Sequence, residues 1–167
     1  PVTLIPNFAC SKIRCSIDFR NKVIGSQFIE YQASLDSFLS IADARTFCHL
    51  SDVEAMRQRG LALGGGLDNA IVVTEDTILN ENGLRRPDEF VRHKLLDLIG
   101  DFALLGAHLL AEISAHKSGH AIHARCLQIL LSQKEQYLEE YYPDVEVGAL
   151  AQPRTHDSLR FPAFSYA

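Results

Sequence analysis

The alternation of apolar and polar residues predicts three strands in the chain. Residues 12–19 alternate strictly, which is typical of a strand with one buried face. Residues 26–31 are predicted to pair with it, because Asn21 and Gly25 supply turn chemistry between the two segments. The alternation returns at residues 107–117, where a third strand is expected to cross the same sheet.

Helical periodicity predicts two main helices around that third strand. The first helix, residues 88–105, is expected to open with Pro87 at the favoured first position of a helix. The second helix, residues 119–140, is amphipathic, with apolar residues inward and Lys and Glu residues outward.

Shorter elements are expected between the first strands and the first main helix. A Ser34 cap precedes a short helical segment, and residues 52–58 form another helix with Ser51 and Asp52 as its capping residues. Residues 70–79 are interpreted as a hairpin.

This order of elements predicts an α/β fold, more closely an α+β two-layer sandwich. Two main helices are expected to pack on one face of a mixed β-sheet. Residues 1–142 are assigned to this domain, with residues 88–105 as the helix that carries the candidate metal site. Residues 143–167 lose the periodicity and are interpreted as a loosely ordered C-terminal tail.

Composition narrows the classes of protein that fit. The chain has 167 residues, of which 47% are hydrophobic and 22% charged, as is ordinary for one soluble globular domain. The net charge of −5 argues against a nucleic-acid partner, which would require a basic patch. No apolar run approaches the ~18 residues of a membrane span, and the first residues lack the features of a signal peptide. Four cysteines without C-x-x-C spacing indicate small buried or incidental thiols in a reducing cytosol, so a cytoplasmic location is expected.

A stripe of polar residues runs along the first main helix. His93, Asp97 and Asp101 are four residues apart and therefore share one face of a helix that is otherwise rich in apolar residues. Buried carboxylates and imidazoles are costly unless they are paired or bind a metal. On spacing alone, hydrogen-bonded core residues and a metal or catalytic site both remain open.

The same stripe carries a family resemblance. The sequence HKLLDLIGD at residues 93–101 resembles the H-K-x-x-D-x-x-G-D signature of UDP-3-O-acyl-N-acetylglucosamine deacetylase, the zinc enzyme of lipid A (lipopolysaccharide) biosynthesis. ARTF at 44–47, RGLALGGGLDNAIVV at 59–73, LNENGLR at 79–85 and KSGHA at 117–121 also resemble that family, in the same order. The resemblance covers only the second half of the family's chain.

The resemblance implies an incomplete zinc site. His93 and Asp97 match two of the family's three ligands to Zn²⁺, whereas the third is a His that follows a general-base Glu in the first domain. This sequence has no Glu-His pair, and it begins with Pro1 rather than Met. We therefore expect a piece of a longer protein, or a half that works with a separately encoded first domain.

Further site residues follow from the resemblance. His120 is implied as a second catalytic group paired with Asp101, and Thr46 as a hydrogen-bond donor to the tetrahedral intermediate. A carboxylate close to an imidazole favours the protonated ring, which could face the negative charge that develops on an amide. Lys94 and Lys117 are implied to bind the UDP phosphates of the substrate. A buried ion pair between Asp101 and His120, an ordinary strand Thr and solvated lysines remain the alternatives.

A tunnel for a fatty acyl chain is also implied by the resemblance. Its residues in this sequence are Phe47, His49, Leu50, Val53, Ala62, Gly65, Gly66, Ala70 and Val72. The complete protein is expected to deacetylate UDP-3-O-acyl-N-acetylglucosamine, giving acetate and the free amine. Two alternatives remain open, which are a UDP-lipid or acyl-chain binding module without catalysis and a structural half that docks on a separate first domain.

Overall fold

The computed structural model describes residues 1–7, 11–133, 138–140, 158–160 and 164–166. The strands are β1 (Val2–Pro6), β2 (Lys12–Asp18), β3 (Ser26–Gln32), β4 (Thr46–His49), β5 (Ala70–Val73), β6 (His108–Leu109), β7 (Ala111–His116), β8 (Leu138–Glu140), β9 (Ser158–Arg160) and β10 (Phe164–Tyr166). The helices are α1 (Leu35–Leu39), α2 (Leu50–Gln58), α3 (Glu89–Ala103) and α4 (His120–Ser132). None of the helices in these ranges is long and apolar enough to cross a membrane.

A five-stranded mixed sheet forms one layer, in the order β10-β1-β7-β2-β3. Strands β2 and β7 run parallel, and the other neighbours run antiparallel. Cys15 of β2 is in register with Ile29 of β3 and with Ala115 of β7. The predicted pairing of the first two segments and the mixed sheet are therefore confirmed.

Helices α3 and α4 form the second layer, on the buried face of the sheet. In β2 and β7 every second residue is buried, and these side chains join the apolar sides of both helices in one core. Its members include Val2, Leu4, Ile13, Cys15, Ile17, Ile113, Ala115, Phe90, Val91, Leu95, Leu98, Cys126, Leu127 and Leu130. Burial of each large aliphatic or aromatic side chain contributes about 1.5–3 kcal/mol, so this core fixes the rotation of both helices against the sheet.

A smaller unit of β4, α2 and β5 lies beside the main sheet. Strands β4 and β5 pair in parallel, with Thr46 opposite Ala70 and His49 opposite Val73. A bridge between Val73 and Ile78 marks the turn after β5, where the hairpin was predicted. Parallel neighbours require a crossover, which α2 and the glycine-rich segment after it provide.

Several predicted boundaries differ from the structure. Helix α3 begins after Asp88, so Pro87 precedes the helix instead of occupying its first position. The predicted helix over residues 119–140 ends at Ser132, because the chain changes to strand β8, which pairs with β9. Residues 134–137 lie outside the described residues.

Other local differences come from contacts that no short motif reveals. The N-cap of α2 is His49, whose ring Nδ1 accepts from the backbone of Ser51, so the predicted caps Ser51 and Asp52 lie inside the helix. The predicted strand over 107–117 is divided at Leu110 into β6 and β7, and β6 pairs with β9. The Ser34 cap was predicted correctly and forms a capping box with Ser37.

Most of the predicted tail, residues 143–167, lies outside the described residues. The two exceptions are β9, which pairs with β8 and β6, and β10, which pairs antiparallel with β1. Strand β1 itself carries Val2 and Leu4 in the core, although its short alternation predicted no element.

The described cysteines are free thiols. Burial raises the pKa of Cys15 and of Cys126 to about 11, so both thiols stay protonated at neutral pH. These two residues act as small apolar members of the core, as the sequence predicted. Cys10 lies outside the described residues.

A buried ion pair anchors the beginning of α3. The guanidinium of Arg45 contacts the carboxylate of Glu89 through Nε at 2.9 Å and Nη2 at 3.0 Å, and Nη2 also donates to the carbonyl of Gly83. The backbone amides of Arg45 and Arg85 donate to the same carboxylate at 3.1 Å and 2.6 Å. The side chains of Arg45 and Glu89 are only 9% and 1% exposed. The pair therefore ties two loop segments to the first turn of α3.

We predict that Glu89→Gln lowers the free energy of unfolding by about 3 kcal/mol at neutral pH, because it leaves the buried Arg45 without its opposite charge. Urea denaturation followed by circular dichroism measures the change. Glu30→Gln is the matched control, since Glu30 pairs with Lys12 and Arg14 at the exposed face of the sheet. Exposed pairs contribute less than about 1 kcal/mol.

The same pair predicts a pH dependence. Burial alone would raise the pKa of Glu89. The hydrogen bonds from Arg45 and Arg85 outweigh it and hold the pKa at about 2, below its ordinary value of 4.5. A depressed pKa in the folded state gives stability that is present above about pH 4.5 and lost as the pH falls towards 2. The stability difference between the wild type and Glu89→Gln is expected to shrink across that range. A difference that stays constant from neutral to acid pH would contradict this assignment.

Candidate functional site

His93 and Asp97 face each other across one turn of α3. The carbonyl of Ala44 lies 3.2 Å from His93 Nδ1, and since a carbonyl can only accept, Nδ1 carries the hydrogen. In the neutral ring the lone pair is then at Nε2, which lies 3.3 Å from Asp97 Oδ1. The ring of Phe47 packs against His93 with its edge, at 6.1 Å between centroids. The backbone and a neighbouring ring thus fix the tautomer and the direction of this imidazole.

This pair of atoms fits two positions of a zinc site. Zinc binds imidazole nitrogen and carboxylate oxygen at about 2.0–2.1 Å with tetrahedral angles, which places two such ligand atoms about 3.3 Å apart. The distance from His93 Nε2 to Asp97 Oδ1 is also 3.3 Å, and both side chains are partly exposed, at 16% and 13%. The second carboxylate oxygen of Asp97 is held by Lys94 Nζ at 2.8 Å. A carbonyl bonded to the imidazole and a cation bonded to the carboxylate are the kind of outer contacts that orient metal ligands.

A second polar cluster joins the end of α3 to the beginning of α4. Asp101 Oδ2 accepts from His120 Nδ1 at 2.8 Å and from His123 Nδ1 at 2.6 Å. The other ring nitrogen of His123, Nε2, lies 2.8 Å from Ser118 Oγ. Burial would raise the pKa of Asp101, but the hydrogen bonds from both imidazoles outweigh it and hold the pKa below its ordinary range. Asp101 is therefore an ionised acceptor for two rings.

Proximity alone would make this cluster a metal site. Within the described ranges, Asp101, His120 and His123 are the group of three donors whose ligand atoms lie within 4.8 Å of one another. The Nδ1 to Oδ2 distances of 2.6 and 2.8 Å are, however, those of charge-assisted hydrogen bonds and shorter than the spacing around one zinc ion. We therefore interpret the cluster as a hydrogen-bonded network, in which the ring of His120 is 69% exposed. Its Nε2 lies 4.0 Å from Asp97 Oδ2, next to the candidate ligands.

An apolar cavity of about 720 Å³ opens in the unit of β4, α2 and β5. Thr46 and Phe47 of β4 line it, and the ring of Phe47 also contacts His93 and Phe90. The remaining lining residues are Cys48, Leu50, Val53, Met56, Arg57, Ala62, Gly64, Gly65, Gly66, Leu67, Asn69, Ala70, Val72 and Leu79. Phe47 thus links the cavity to the candidate metal ligands.

The glycine-rich wall of this cavity is held by two asparagines. Asn69 accepts from the amide of Gly66 at 2.9 Å and donates to the carbonyl of Gly64 at 3.0 Å. The buried Asn80 donates to the carbonyls of Leu67 and Ala70 and accepts from the amide of Val72. The backbone therefore forms the wall where side chains are absent, and side-chain amides supply its hydrogen bonds.

The structure brings together all of the predicted tunnel residues except His49. The other eight residues line the cavity. His49 instead lines a separate depression, where its Nδ1 caps α2 and its Nε2 lies 3.3 Å from Glu75 Oε1. His49 ends β4 and caps α2, so its ring is held by the following helix and by Glu75 instead of facing the cavity.

Both predicted phosphate-binding lysines contact carboxylates. Lys94 pairs with Asp97, and its Nζ lies 5.7 Å from the centre of the Phe47 ring. The Cα of Lys94 is about 100° around α3 from that of His93, yet its long side chain reaches back to the polar stripe. Lys117 Nζ lies 2.5 Å from Asp18 Oδ2, and its φ of +48° is unusual for a residue with a side chain. Their role towards phosphate stays a prediction.

Comparison with known proteins assigns the family. The family model LpxC, described as UDP-3-O-acyl N-acetylglycosamine deacetylase, matches residues 2–132. The chain belongs to the LpxC family. The resemblance predicted from the sequence is therefore confirmed, and every site residue described above lies inside the matched range.

Curated LpxC relatives match this chain over only part of their length. The UDP-3-O-acyl-N-acetylglucosamine deacetylase of Oleidesulfovibrio alaskensis is 46% identical over 153 residues, which are 91% of this chain and 48% of the relative. Those of Hahella chejuensis and Myxococcus xanthus are 48% and 46% identical, and the matches cover 45% and 40% of their lengths. The chain spans about half the length of the curated relatives that it matches.

Three contacts of this site were not predicted from the sequence. The resemblance implied no role for His123, although its spacing of three residues from His120 places both on one side of a helix. The carbonyl of Ala44 and the ion pair between Arg45 and Glu89 had no signal, because each joins segments more than 40 residues apart.

We predict that Val72→Phe weakens binding of an aliphatic probe. Ile71 and Val73 are fully buried in the core, so the alternation of β5 turns Val72 to the other side, where it lines the cavity. An aromatic ring there would occupy the space of the ligand and lower the affinity about tenfold, by analogy with overpacking costs of about 1–3 kcal/mol. Titration of a fluorescent fatty acid measures it.

Leu63→Phe is the control for this prediction. Leu63 is exposed on the same glycine-rich segment and does not line the cavity. Equal affinity of Val72→Phe and the wild type would show that the aliphatic probe binds elsewhere.

Proposed function

We propose that this chain supplies one half of a zinc-dependent deacetylase that acts on UDP-3-O-acyl-N-acetylglucosamine in lipid A biosynthesis. The single observation that carries the proposal is the pair His93 Nε2 and Asp97 Oδ1, 3.3 Å apart within the matched family range. The names of the curated relatives give the reaction. The apolar cavity beside this pair supports an acylated substrate.

The metal ligands come from two parts of the complete protein in this proposal. His93 and Asp97 would hold zinc on this half, and the Glu-His segment of the other half would complete the site. Zinc bound there would supply Lewis-acid polarisation of the amide carbonyl and acidification of a water molecule. The carbonyl of Ala44 and the ammonium of Lys94 hold the two ligand side chains, and this support lies wholly within the chain.

His120 is the group that meets developing charge. Its Nδ1 is engaged by Asp101, so the nitrogen directed towards the substrate is Nε2, on an exposed ring near Asp97. Hydrolysis adds a water oxygen to the acetyl carbon, breaks the bond between carbon and nitrogen, and transfers a proton to the nitrogen, which gives acetate and an amine. An imidazolium at His120 would stabilise the negative charge on the oxygen before that bond breaks.

The substrate would extend from the apolar cavity, along the stripe of α3, to the two lysines. Its acyl chain would occupy the apolar cavity, past Thr46 and Phe47. Its N-acetyl group would then meet the stripe of α3, where Thr46 is proposed to donate to the tetrahedral intermediate. Lys94 and Lys117 are proposed to face the UDP phosphates, with each ammonium acting as a point charge.

We predict that deacetylase activity requires a second polypeptide segment. The chain alone and the chain co-expressed with the unmatched part of the Oleidesulfovibrio alaskensis relative are compared for release of acetate from the UDP-linked substrate. Only the combination is expected to turn over and to bind zinc stoichiometrically. Full turnover by the chain alone would contradict the proposed division of the zinc site.

A second function is distinguished in the same experiment. The cavity is formed by residues 46–79 of this chain, which favours acyl binding independent of catalysis. Lipid binding by the chain, together with no turnover in either preparation, would replace the deacetylase proposal with a binding module.

We further predict that substitutions separate the two polar groups of the site. In the active combination, Asp97→Ala is expected to abolish zinc binding, because it removes a ligand. His120→Ala is expected to retain zinc and to lower turnover by roughly 10²–10⁴-fold, the range typical of a lost acid-base group. Zinc content by atomic absorption and initial rates measure both. Loss of zinc in His120→Ala would make His120 the third ligand instead.

A further inference from the structure

The imidazole of His123 is a buried polar group that the proposed reaction does not use. Its side chain is fully buried, yet both ring nitrogens have partners, Asp101 Oδ2 at 2.6 Å and Ser118 Oγ at 2.8 Å. A buried polar ring of this kind costs stability unless it is hydrogen-bonded, so an apolar residue would serve packing alone equally well.

The partners of His123 fix its tautomer. A carboxylate oxygen accepts, so Nδ1 of His123 carries the hydrogen towards Asp101. Burial lowers the pKa of His123 and outweighs the opposing effect of Asp101, which keeps the ring neutral. The unprotonated Nε2 then accepts the hydroxyl hydrogen of Ser118. A directed chain of two hydrogen bonds thus runs from Ser118 through His123 to Asp101.

This chain of hydrogen bonds ends on the same carboxylate oxygen that accepts from His120. Asp101 Oδ2 receives Nδ1 of both rings, whose centroids are 6.4 Å apart and whose planes are nearly perpendicular, at 83°. The ring of Phe102 packs against His123 at 6.3 Å. Asp101 is therefore fixed from the core by a rigid donor, whereas the exposed ring of His120 depends on Asp101 for its orientation.

We propose that His123 and Ser118 are positioning residues, which hold Asp101 so that His120 keeps its hydrogen on Nδ1 and presents Nε2 to the candidate zinc ligands. The consequence for catalysis rests on the function proposed above. The effect on the ring of His120 does not, because it follows from the hydrogen bonds of this chain.

Three variants test the chain of hydrogen bonds. His123→Phe keeps a ring but removes the donor to Asp101, His123→Asn keeps an N–H group near the position of Nδ1, and Ser118→Ala frees Nε2 of the native ring. Ser118→Ala adds no bulk to the core, so it remains informative if His123→Phe does not fold. Ser16→Ala is the matched control, because it removes another hydroxyl at 2.8 Å from a histidine nitrogen, that of His116 on the outer face of the sheet.

The first measurement is the tautomer of His120 in the 167-residue chain, from ¹⁵N spectra of the imidazole nitrogens at one pH where the ring is neutral. The wild type, His123→Asn and Ser16→Ala are expected to show the Nδ1–H form at His120. His123→Phe and Ser118→Ala are expected to shift it towards the Nε2–H form. An unchanged His120 spectrum in folded His123→Phe or in Ser118→Ala would overturn the proposal.

The second measurement is turnover in the active combination. His123→Phe is expected to lower kcat about tenfold with KM unchanged, the factor that a lost hydrogen bond of ordinary strength would give. His123→Asn is expected to restore most of it, which a purely packing role would not do. If the tautomer shifts and no preparation turns over, the positioning role stands and the proposed function fails. Zinc bound by the chain and lost in His123→Phe would instead make the cluster a metal site.

Discussion

The rotation of α3 about its own axis is the constraint on which the site depends. Phe90, Val91, Leu95 and Leu98 are fully buried and fix which side of the helix faces the sheet. With 3.6 residues per turn, that choice also fixes where His93, Asp97 and Asp101 emerge. The buried pair of Arg45 and Glu89 sets the position of the first turn, so the stripe can neither rotate nor slide without loss of core contacts or of a charge pair. The packing of these apolar residues thereby holds the polar stripe at the edge of the core, although polar groups are costly to bury there.

Four consecutive residues connect that helix to the cavity. The carbonyl of Ala44 holds His93, Arg45 anchors Glu89, and Thr46 and Phe47 line the cavity while Phe47 packs on His93 and Phe90. A shift of this segment would move the imidazole, the beginning of α3 and the cavity mouth together. The polar and apolar parts of the site are therefore structurally coupled through this segment, although they belong to different strands and helices.

The sequence predicted the parts of this site that depend on local periodicity. The alternation of β2 and of β7 and the stripe on α3 are properties of a few consecutive residues, and the buried positions follow them. The end of α4, the cap of α2 and the position of His49 were not predictable, because β8 pairs with a distant strand and His49 is held by the following helix. His123 is similar, because its partner is Asp101, 22 residues earlier, whose carboxylate is shared with His120. Patterns predict which face a residue occupies, whereas its partners depend on the packing of separate elements.

The exposure of the polar groups increases from the core outwards. His123 is buried and fully hydrogen-bonded, Asp101, His93 and Asp97 are partly exposed, and His120 is largely exposed. Each imidazole is hydrogen-bonded through Nδ1, to the carbonyl of Ala44 in His93 and to Asp101 in His120 and His123. Orientation is thus supplied from inside the chain, and the remaining atoms, His93 Nε2, Asp97 Oδ1 and His120 Nε2, are available to a metal, a substrate or a second polypeptide. In the function proposed above, this rigid inner layer would keep the groups that meet developing charge from reorienting during the reaction, as preorganised electrostatic catalysis requires.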